Sequence, residues 1–385
     1  MMSSTLIDKK PVWLWQSNSN PWDTNEKEEW KRYSDFENEY IEEAFQAQAN
    51  EVQLGDYIID LKYNIQFKNG EICRQRIVKR ELIDTHQNVR CERFSYPEKP
   101  VKSFGIDIKW DNSLIKHWKE THEDLITNYP AVVELTVQGI LHEGKLLKKD
   151  IDAQRIANYL KTCEPNWDQL GRCAIRLYTA SSFLCDSVNT ALRNKDMTKV
   201  DTLGPFCYLL SERLFSGDYC PNQILYRGAT LTNEMIEEYK QVVGTEITWL
   251  SFTSTTKDRC VAEMYTGNVL FIITLKYKIW SYEQDVSSIS YYPDEAEVLL
   301  TAGYQFHVDK VEFDSINEKH IIYMTTLSGE KFLNPNMHTK VLPERSTNPD
   351  LNNCIYLFGT GMTIGTAAMC DGKLRVYHFP PLDME

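Results

Sequence analysis

Two glutamates, Glu295 and Glu297, stand between an aromatic turn, Tyr291–Pro293, and an apolar run that starts at Val298. In an extended strand, residues two apart point to the same face, so the pattern predicts two carboxylates that project together from the mouth of a strand. Such carboxylates repel each other and raise at least one pKa unless a cation or a hydrogen-bond donor lies between them. A solvated acidic turn is the alternative interpretation of a Glu-x-Glu pair taken alone.

Length and charge limit the classes of protein to consider. The chain has 385 residues, 42% of them hydrophobic and 25% charged, and a formal net charge of -13. This length predicts two or three domains, each with its own core. The acidic balance argues against nonspecific binding of nucleic acid by the whole molecule, and we expect no sequence-specific nucleic-acid partner.

The sequence also lacks the signals of a membrane protein or a zinc protein. No stretch approaches the roughly 18 apolar residues that cross a bilayer, and Met1–Lys10 has no apolar core before its charges, so we expect neither a membrane partner nor a secretory signal. The 10 cysteines are scattered and form no Cys-x-x-Cys motif. Buried reduced thiols in an intracellular protein, cytoplasmic or nuclear, with no metal site, are the simplest expectation.

The first 85 residues are rich in aromatic and strand-forming side chains. Asn69-Gly70 predicts a tight turn between two strands, and Tyr40–Phe45 predicts a short amphipathic helix. Arg74 and Arg76 share one strand face. Two guanidiniums near tryptophan and tyrosine suit a ligand that carries phosphates and a ring; a charged solvent face is the alternative.

The order of these elements resembles the WWE domain. The matching pieces are Trp13-x-Trp15, Trp30-x-x-Tyr33, Ile41-Glu42-x-Ala44-Phe45, Tyr57-x-x-Asp60-Leu61, Ile65-Gln66 and the basic strand. Many WWE domains bind the iso-ADP-ribose unit of poly(ADP-ribose). The resemblance implies that Trp30 and Tyr57 flank the adenine, Gln66 hydrogen-bonds it, and Arg74 and Arg76 hold phosphates. A WWE domain that does not bind the polymer is the alternative.

Further along, helical spacing gives way to strands. The apolar pattern predicts core helices over residues 132–140, 151–161, 184–192 and 204–215, and then strands over 223–228 and 269–275. Arg227 ends an apolar strand, where a charge is costly without an anionic partner. A surface arginine is the alternative. The hydroxyls of Ser254-Thr255-Thr256 can donate to phosphates, to a ribose or to a carboxylate.

The ordered set Tyr226-Arg227-Gly228, Ser254-Thr255-Thr256 and Glu295-Ala296-Glu297 resembles the Arg-Ser-Glu signature of clostridial-toxin-like mono-ADP-ribosyltransferases. The resemblance implies NAD as a substrate and no metal. Glu297 would stabilise the oxocarbenium-like ribose, Arg227 the diphosphate, and Ser254 would position Glu297 or the nicotinamide side. Gly228 would let the backbone pass close to NAD. Tyr226 and Thr255 would also lie on the NAD side.

The acceptor follows from the same resemblance. A glutamate two before the catalytic one goes with arginine acceptors in that family, and Glu295 fills this position. A carboxylate can pair with a guanidinium and help to activate it. Tyr291 and Tyr292 would lie in the turn that faces the acceptor and stack on the guanidinium.

Together these observations predict an α+β protein. Residues 1–85 form a small WWE half-barrel-like sheet with one helix, 86–130 a linker, 131–315 an ADP-ribosyltransferase fold of two packed mixed or antiparallel sheets with an N-terminal helical lobe, and 316–385 a β extension. The expected partners are protein substrates that bear arginine and poly(ADP-ribose)-modified proteins. A non-catalytic ADP-ribose reader and an NAD glycohydrolase are the alternatives.

Overall fold

The computed structural model describes most of the chain up to Leu327 and three short strands beyond it. The described residues are 9–22, 25–84, 90, 104–105, 113–215, 223–264, 267–276, 283–327, 355–357, 365–370 and 373–378. The proposed linker Ser95–Pro100 and the proposed strand Ile106–Trp110 lie outside them. Of the glycine-rich run Gly359–Gly365, only Gly365 is described.

The first module, residues 9–84, is an antiparallel sheet with one helix. Its elements are β1 (Lys9–Gln16), β2 (Trp30–Arg32), α1 (Asp35–Gln46), β3 (Glu51–Leu54), β4 (Tyr57–Asp60), β5 (Ile65–Lys68) and β6 (Glu71–Asp84). The strand order is β2-β1-β6-β5-β4-β3.

Local chemistry explains why these elements form. Ser34 and Glu37 make a capping box that starts α1, which satisfies backbone donors at the helix N-terminus. Gly70 has a φ of +83° in the turn between β5 and β6, a conformation that favours glycine. Trp13, Ile41 and others fill the core between sheet and helix. The predicted helix and hairpin are confirmed.

The second module, residues 113–327, begins with helices. They are α2 (Ser113–Thr121), α3 (Tyr129–Leu146), α4 (Asp150–Thr162), α5 (Trp167–Thr179), α6 (Phe183–Asn194) and α7 (Val200–Phe215). The four predicted helices are confirmed. Two more lie where none was predicted: α2 falls in the proposed linker and packs on α7, and α5 ends at Thr179. Buried Leu170, Ala174 and Leu177 on α5 have helical spacing, so the signal was present.

A mixed sheet follows the helices. Its elements are β7 (Ile224–Ala229), α8 (Asn233–Gln241), β8 (Glu246–Trp249), β9 (Thr253–Thr256), α9 (Arg259–Met264), β10 (Val269–Thr274), β11 (Glu283–Asp285), β12 (Glu297–Leu300), β13 (Tyr304–Asp314) and β14 (Lys319–Thr326). The order is β11-β12-β9-β7-β10-β14-β13-β8.

The mixed sheet has two parts that meet at a narrow junction. Only Tyr226 and Thr256 pair between β7 and β9, so β11-β12-β9 can turn away from the other strands. Apolar side chains from both parts, including Phe271, Val298 and Phe306, share one core. The α+β class is confirmed. β14 pairs in parallel with central β10, so the sheet continues past the predicted end at residue 315.

The three strands near the C-terminus form a separate antiparallel sheet. They are β15 (Ile355–Leu357), β16 (Gly365–Cys370) and β17 (Lys373–His378), in the order β15-β16-β17. The sequence predicted the first and third of them.

The two modules pack against each other through the start of α1. Phe36 is fully buried in the core of the helices of the second module. The backbone NH of Asp35 donates to the carbonyl of Ser181 at 2.9 Å, and the NH of Ser181 donates back to the Asp35 carboxylate at 2.7 Å. Residues 9–276 and 283–327, where described, therefore belong to one compact unit.

Buried carboxyls lie in this interface. Ser34 Oγ donates to Asp152 Oδ1 at 2.5 Å, and burial followed by the nearby Glu37 charge raises the pKa of Asp152 to about 7. Burial also raises the pKa of Asp35. Lys149, which donates to Glu37 at 2.9 Å, opposes the shift at Asp152. The interface is therefore most favourable when these carboxyls are protonated.

Phe36→Ala tests whether the modules are one folding unit. The change removes a ring from a shared core, so we expect a loss of about 3–5 kcal/mol in the free energy of unfolding, measured by urea denaturation. Phe313, 58% exposed on β13, is the matched control, and Phe313→Ala should cost within about 0.5 kcal/mol. Equal effects of the two changes would contradict a shared core.

The Asp152 carboxyl should make stability depend on pH. Its folded pKa of about 7 exceeds an unfolded value of about 3.9. Its contribution is therefore fully present below pH ~4 and is lost as the pH rises through about 7. Between pH 5 and pH 8, the free energy of unfolding should therefore decrease less in Asp152→Asn than in the wild type. The contribution of Asp35 to the pH dependence remains in the variant. An unchanged fall in the variant would contradict this assignment.

Candidate functional site

Three strands bring the predicted Arg-Ser-Glu set to one place. Arg227 on β7 donates from Nη1 to the carbonyl oxygen of Ser254 on β9 at 2.8 Å. On β12, Glu297 pairs with Thr256 and Leu299 pairs with Ser254. Ser254 and Glu297 therefore point to the same face of the β9–β12 pair. Segments far apart in sequence thus meet, as the resemblance implied.

The two glutamates converge by a different backbone path from the predicted one. Glu295 ends a 3₁₀ turn, Pro293–Glu295, and Ala296 is left-handed with a φ of 45°. The strand starts only at Glu297, so the prediction of an extended strand through both glutamates was wrong. Thr256 Oγ1 donates to the carbonyl of Glu295 at 2.7 Å and holds the turn against β9.

One guanidinium lies between the two buried carboxylates. Arg90 Nη2 donates to Glu295 Oε2 at 2.7 Å and to Glu297 Oε2 at 2.8 Å. Its Nε donates to Glu295 Oε2 at 3.1 Å, and its backbone NH donates to Glu295 Oε1 at 2.8 Å. Arg90 is 6% exposed. The repulsion expected between the carboxylates is thus balanced by a cation.

Sequence reasoning missed Arg90. It precedes Glu295 by 205 residues and belongs to no helix or strand pattern. The requirement for a cation between the glutamates was visible in the sequence, but that requirement does not say which of the chain's basic residues supplies it.

Several polar groups around the site were also missed. Ser290 Oγ donates to Glu297 Oε2 at 3.2 Å. Tyr178 donates its hydroxyl to the carbonyl of Phe252 at 3.3 Å and accepts from Asn189 at 2.8 Å. Burial raises the pKa of Tyr178 well above its usual value, so it stays a protonated donor. These groups fix the walls of the site.

A cavity of about 80 Å³ lies between these groups and α6. Its walls include Arg90, Tyr178, Asn189, Arg193, Arg227 and Ser254. Cys185 also lines it, and burial raises the pKa of that thiol to about 11, so it is protonated near neutral pH.

Of the residues predicted for catalysis and NAD binding, only Arg227 and Ser254 line this cavity. Thr255 is fully buried, and its hydroxyl donates to the Val298 carbonyl at 2.7 Å. Tyr226 and Gly228 sit within β7, paired with Ile272 and Leu270. The structure therefore brings Arg227 and Ser254 to the cavity wall together with Arg90, and Arg90 in turn contacts both glutamates.

The tyrosines of the turn contact the first module. Tyr292 donates its hydroxyl to both Asp35 oxygens, at 2.9 and 2.7 Å, and Tyr291 donates to the Glu39 carboxylate. The Arg90 guanidinium lies 5.6 Å from the Tyr292 ring centroid. Tyr292 thus faces a guanidinium, as the acceptor-side prediction requires, but that guanidinium belongs to the chain itself.

A second pocket, of about 530 Å³, lies on the first module. Tyr57, Gln66, Arg74 and Arg76 all line it, as the resemblance implied. Trp30 does not. Its indole NH donates to Glu28 at 3.1 Å, and the Lys79 ammonium lies 4.0 Å from its ring.

Trp22 supplies an aromatic wall that sequence reasoning missed. It is 58% exposed and lines the pocket with Pro21; an Asn-Pro-Trp turn was the signal that could have found it. Arg74 is 85% exposed and pairs with Glu71 at 3.4 Å, so it can reach a ligand.

Gln66 and Arg76 are tied into the fold of the first module. Gln66 accepts from the Tyr33 hydroxyl at 2.8 Å, and Arg76 donates to the carbonyls of Gln16 and Asn18 at 3.0 and 2.5 Å. These bonds fix the orientation of both side chains at the pocket wall.

In the described part of the chain, no three His, Cys, Asp or Glu side chains cluster as metal ligands would, and no helix has the length and apolar character needed to cross a membrane. Six cysteines within residues 73–260 are free thiols, and two of them, Cys73 and Cys260, are exposed, against the expectation that thiols are buried.

Family models match two parts of the chain. Residues 11–80 match the model of the WWE domain, and residues 148–328 match the model described as NAD:arginine ADP-ribosyltransferase. The chain therefore contains a WWE domain followed by an ADP-ribosyltransferase domain, which confirms both resemblances.

Individual proteins are similar over shorter or more divergent stretches. A protein of Mycobacterium avium (strain 104) that carries the name NAD(+)--arginine ADP-ribosyltransferase Mav is 39% identical over 101 residues, which is 26% of this chain and 11% of that protein. Plx2a, an ADP-ribosyltransferase toxin from Paenibacillus larvae, is 17% identical, with a TM-score of 0.37, over 50% of this chain and 96% of the toxin. HopU1 from Pseudomonas syringae is 20% identical, with a TM-score of 0.36, over 45% of this chain and 82% of HopU1.

Proposed function

We propose that this chain, a WWE domain joined to an ADP-ribosyltransferase domain, transfers ADP-ribose from NAD to arginine side chains of proteins. The observation that carries the proposal is the meeting of Arg227, Ser254 and Glu297 beside Glu295 at one face of the β9–β12 pair. The family model that matches residues 148–328 is described by the same donor and acceptor.

The charges suit the reaction. Breaking the bond between nicotinamide and ribose develops positive charge on the sugar, which an adjacent carboxylate stabilises. Glu297 serves this role by accepting from a ribose hydroxyl. Arg227 holds the diphosphate, for which a planar guanidinium is better suited than an ammonium. Ser254 positions NAD beside them.

Glu295 directs the transfer to arginine. A guanidino nitrogen of the acceptor forms the new bond to the anomeric carbon as the bond from that carbon to nicotinamide breaks. Nicotinamide leaves with the electron pair, which neutralises its ring, and Glu295 takes the proton that the guanidinium loses. Hydrolysis differs only in that water attacks, so Glu295 matters less to it.

The pocket on the WWE domain binds the iso-ADP-ribose unit of poly(ADP-ribose). Trp22 and Tyr57 offer aromatic faces to the adenine, Gln66 a hydrogen-bonding amide, and Arg74 and Arg76 positive charge for phosphates. A pocket of this volume is in the range of small-ligand sites. Binding there recruits the transferase to proteins that already carry the polymer.

Substitution of the two glutamates separates transfer from hydrolysis. With labelled NAD and agmatine, we expect Glu297→Gln to lose both activities by about 100-fold or more, because the oxocarbenium-like ribose loses its anion. Glu295→Gln should lose transfer and keep part of the hydrolysis, and Ser254→Ala should be milder than Glu297→Gln. Glu312 on β13, whose side chain is 41% exposed, gives the matched control Glu312→Gln. Undiminished agmatine modification by Glu295→Gln would make the arginine assignment wrong.

Polymer binding has its own test. In a titration with poly(ADP-ribose), Arg74→Ala and Trp22→Ala should each weaken binding about tenfold, because a charged contact or a stacked base is worth ~1–3 kcal/mol. Lys31→Ala, an exposed charge outside the pocket, is the control. Trp30→Ala decides between the two tryptophans: a loss with Trp30→Ala and none with Trp22→Ala would restore the original assignment.

A further inference from the structure

Arg90 occupies the position of the acceptor that the proposed function requires. Its Nη2 bridges Glu295 and Glu297 at 2.7 and 2.8 Å, and its Nε and backbone NH both donate to Glu295. Tyr292 presents its ring to the same guanidinium at 5.6 Å. A guanidinium of the chain thus makes the contacts assigned to the incoming arginine.

Arg90 also stands in the way of NAD. Glu297 has to accept from a ribose hydroxyl, yet its Oε2 accepts from Arg90 Nη2 and from Ser290 Oγ. The cavity that Arg90 lines with Arg227 and Ser254 holds about 80 Å³, whereas pockets for small ligands hold about 300 Å³ or more. The nicotinamide end of NAD does not fit while Arg90 remains there.

We propose that Arg90 is an internal pseudosubstrate that blocks the site, and that NAD binds only when the Arg90 guanidinium leaves Glu297. The inference rests on the proposed function, because it assigns the acceptor position to Glu295 and the ribose position to Glu297. The contact of Arg90 with Glu295 and Glu297 is strong, because a buried guanidinium between two carboxylates makes charge-assisted hydrogen bonds.

Arg90 is a blocker and not an acceptor of ADP-ribose. An acceptor has to pair with Glu295 while Glu297 holds the ribose of NAD, so both substrates are bound at once. The Nη2 atom of Arg90 donates hydrogen bonds to both carboxylates at once. In that arrangement Arg90 occupies the place of the NAD ribose at Glu297.

NAD affinity, measured by isothermal titration calorimetry on the full chain, tests the block without requiring catalysis. Arg90→Ala should bind NAD about tenfold more tightly or better, because apparent affinity scales with the fraction of open sites. Arg90→Lys, which keeps a cation but cannot bridge in the same way, should lie between. Arg80 pairs with Glu42 through two bonds of 2.8 Å within the first module. Arg80→Ala is therefore the matched control and should bind NAD as the wild type does.

Circular dichroism checks that each variant is folded. If the two buried carboxylates prevent Arg90→Ala from folding once their cation is removed, the comparison is made with Arg90→Lys. Unchanged NAD affinity in the folded Arg90 variants would overturn the inference. So would ADP-ribose found on Arg90 by peptide mapping after incubation with NAD.

Transfer to agmatine separates this inference from the proposed function. If affinity rises in Arg90→Ala and agmatine is modified faster than by wild type, both stand. If affinity rises but neither protein modifies agmatine, the block stands and the proposed transfer fails. If the wild type modifies agmatine and Arg90→Ala gains nothing in either assay, the transfer stands and the block fails.

Discussion

The ionic contact among Arg90, Glu295 and Glu297 is the interaction on which the site depends. Both glutamates are fully buried, and a buried carboxylate without a partner costs several kcal/mol. The fold can place two of them side by side only because a guanidinium lies between them. The same need for a cation is what an arginine acceptor can exploit. One electrostatic condition therefore accounts for the stability of the resting site and for the chemistry we propose.

The first module is part of that site's support. Asp35 at the start of α1 accepts from Tyr292, and Phe36 extends into the helical core of the second module. Gln66, at the wall of the pocket on the WWE domain, accepts a hydrogen bond from Tyr33, the residue before the Ser34 and Asp35 that contact the second module. The WWE domain is thus built onto the turn that carries Glu295. The pocket on the WWE domain and the candidate active site therefore belong to one compact unit.

Much of this was available from sequence because local patterns determined it. The amphipathic helix over Tyr40–Phe45, the Asn69-Gly70 turn and the apolar strand that ends at Arg227 each have short-range signals. The ordered Arg-Ser-Glu motifs then predicted that distant strands meet. Three features escaped. A 3₁₀ turn and the left-handed Ala296 stand where a strand was expected at Glu295. No residue pattern in the neighbouring sequence predicts this conformation. Trp22 lines the pocket where Trp30 was expected, whereas Trp30 lies in β2 with its indole NH bonded to Glu28. Arg90 is a long-range contact, which no periodicity encodes.

The structure of the full chain with NAD bound would test the central claim most directly. We predict NAD with its nicotinamide ribose against Glu297, its diphosphate at Arg227, and the Arg90 guanidinium more than hydrogen-bond distance from Glu297. NAD bound elsewhere, or at this site with Arg90 still bridging Glu295 and Glu297, would contradict the account.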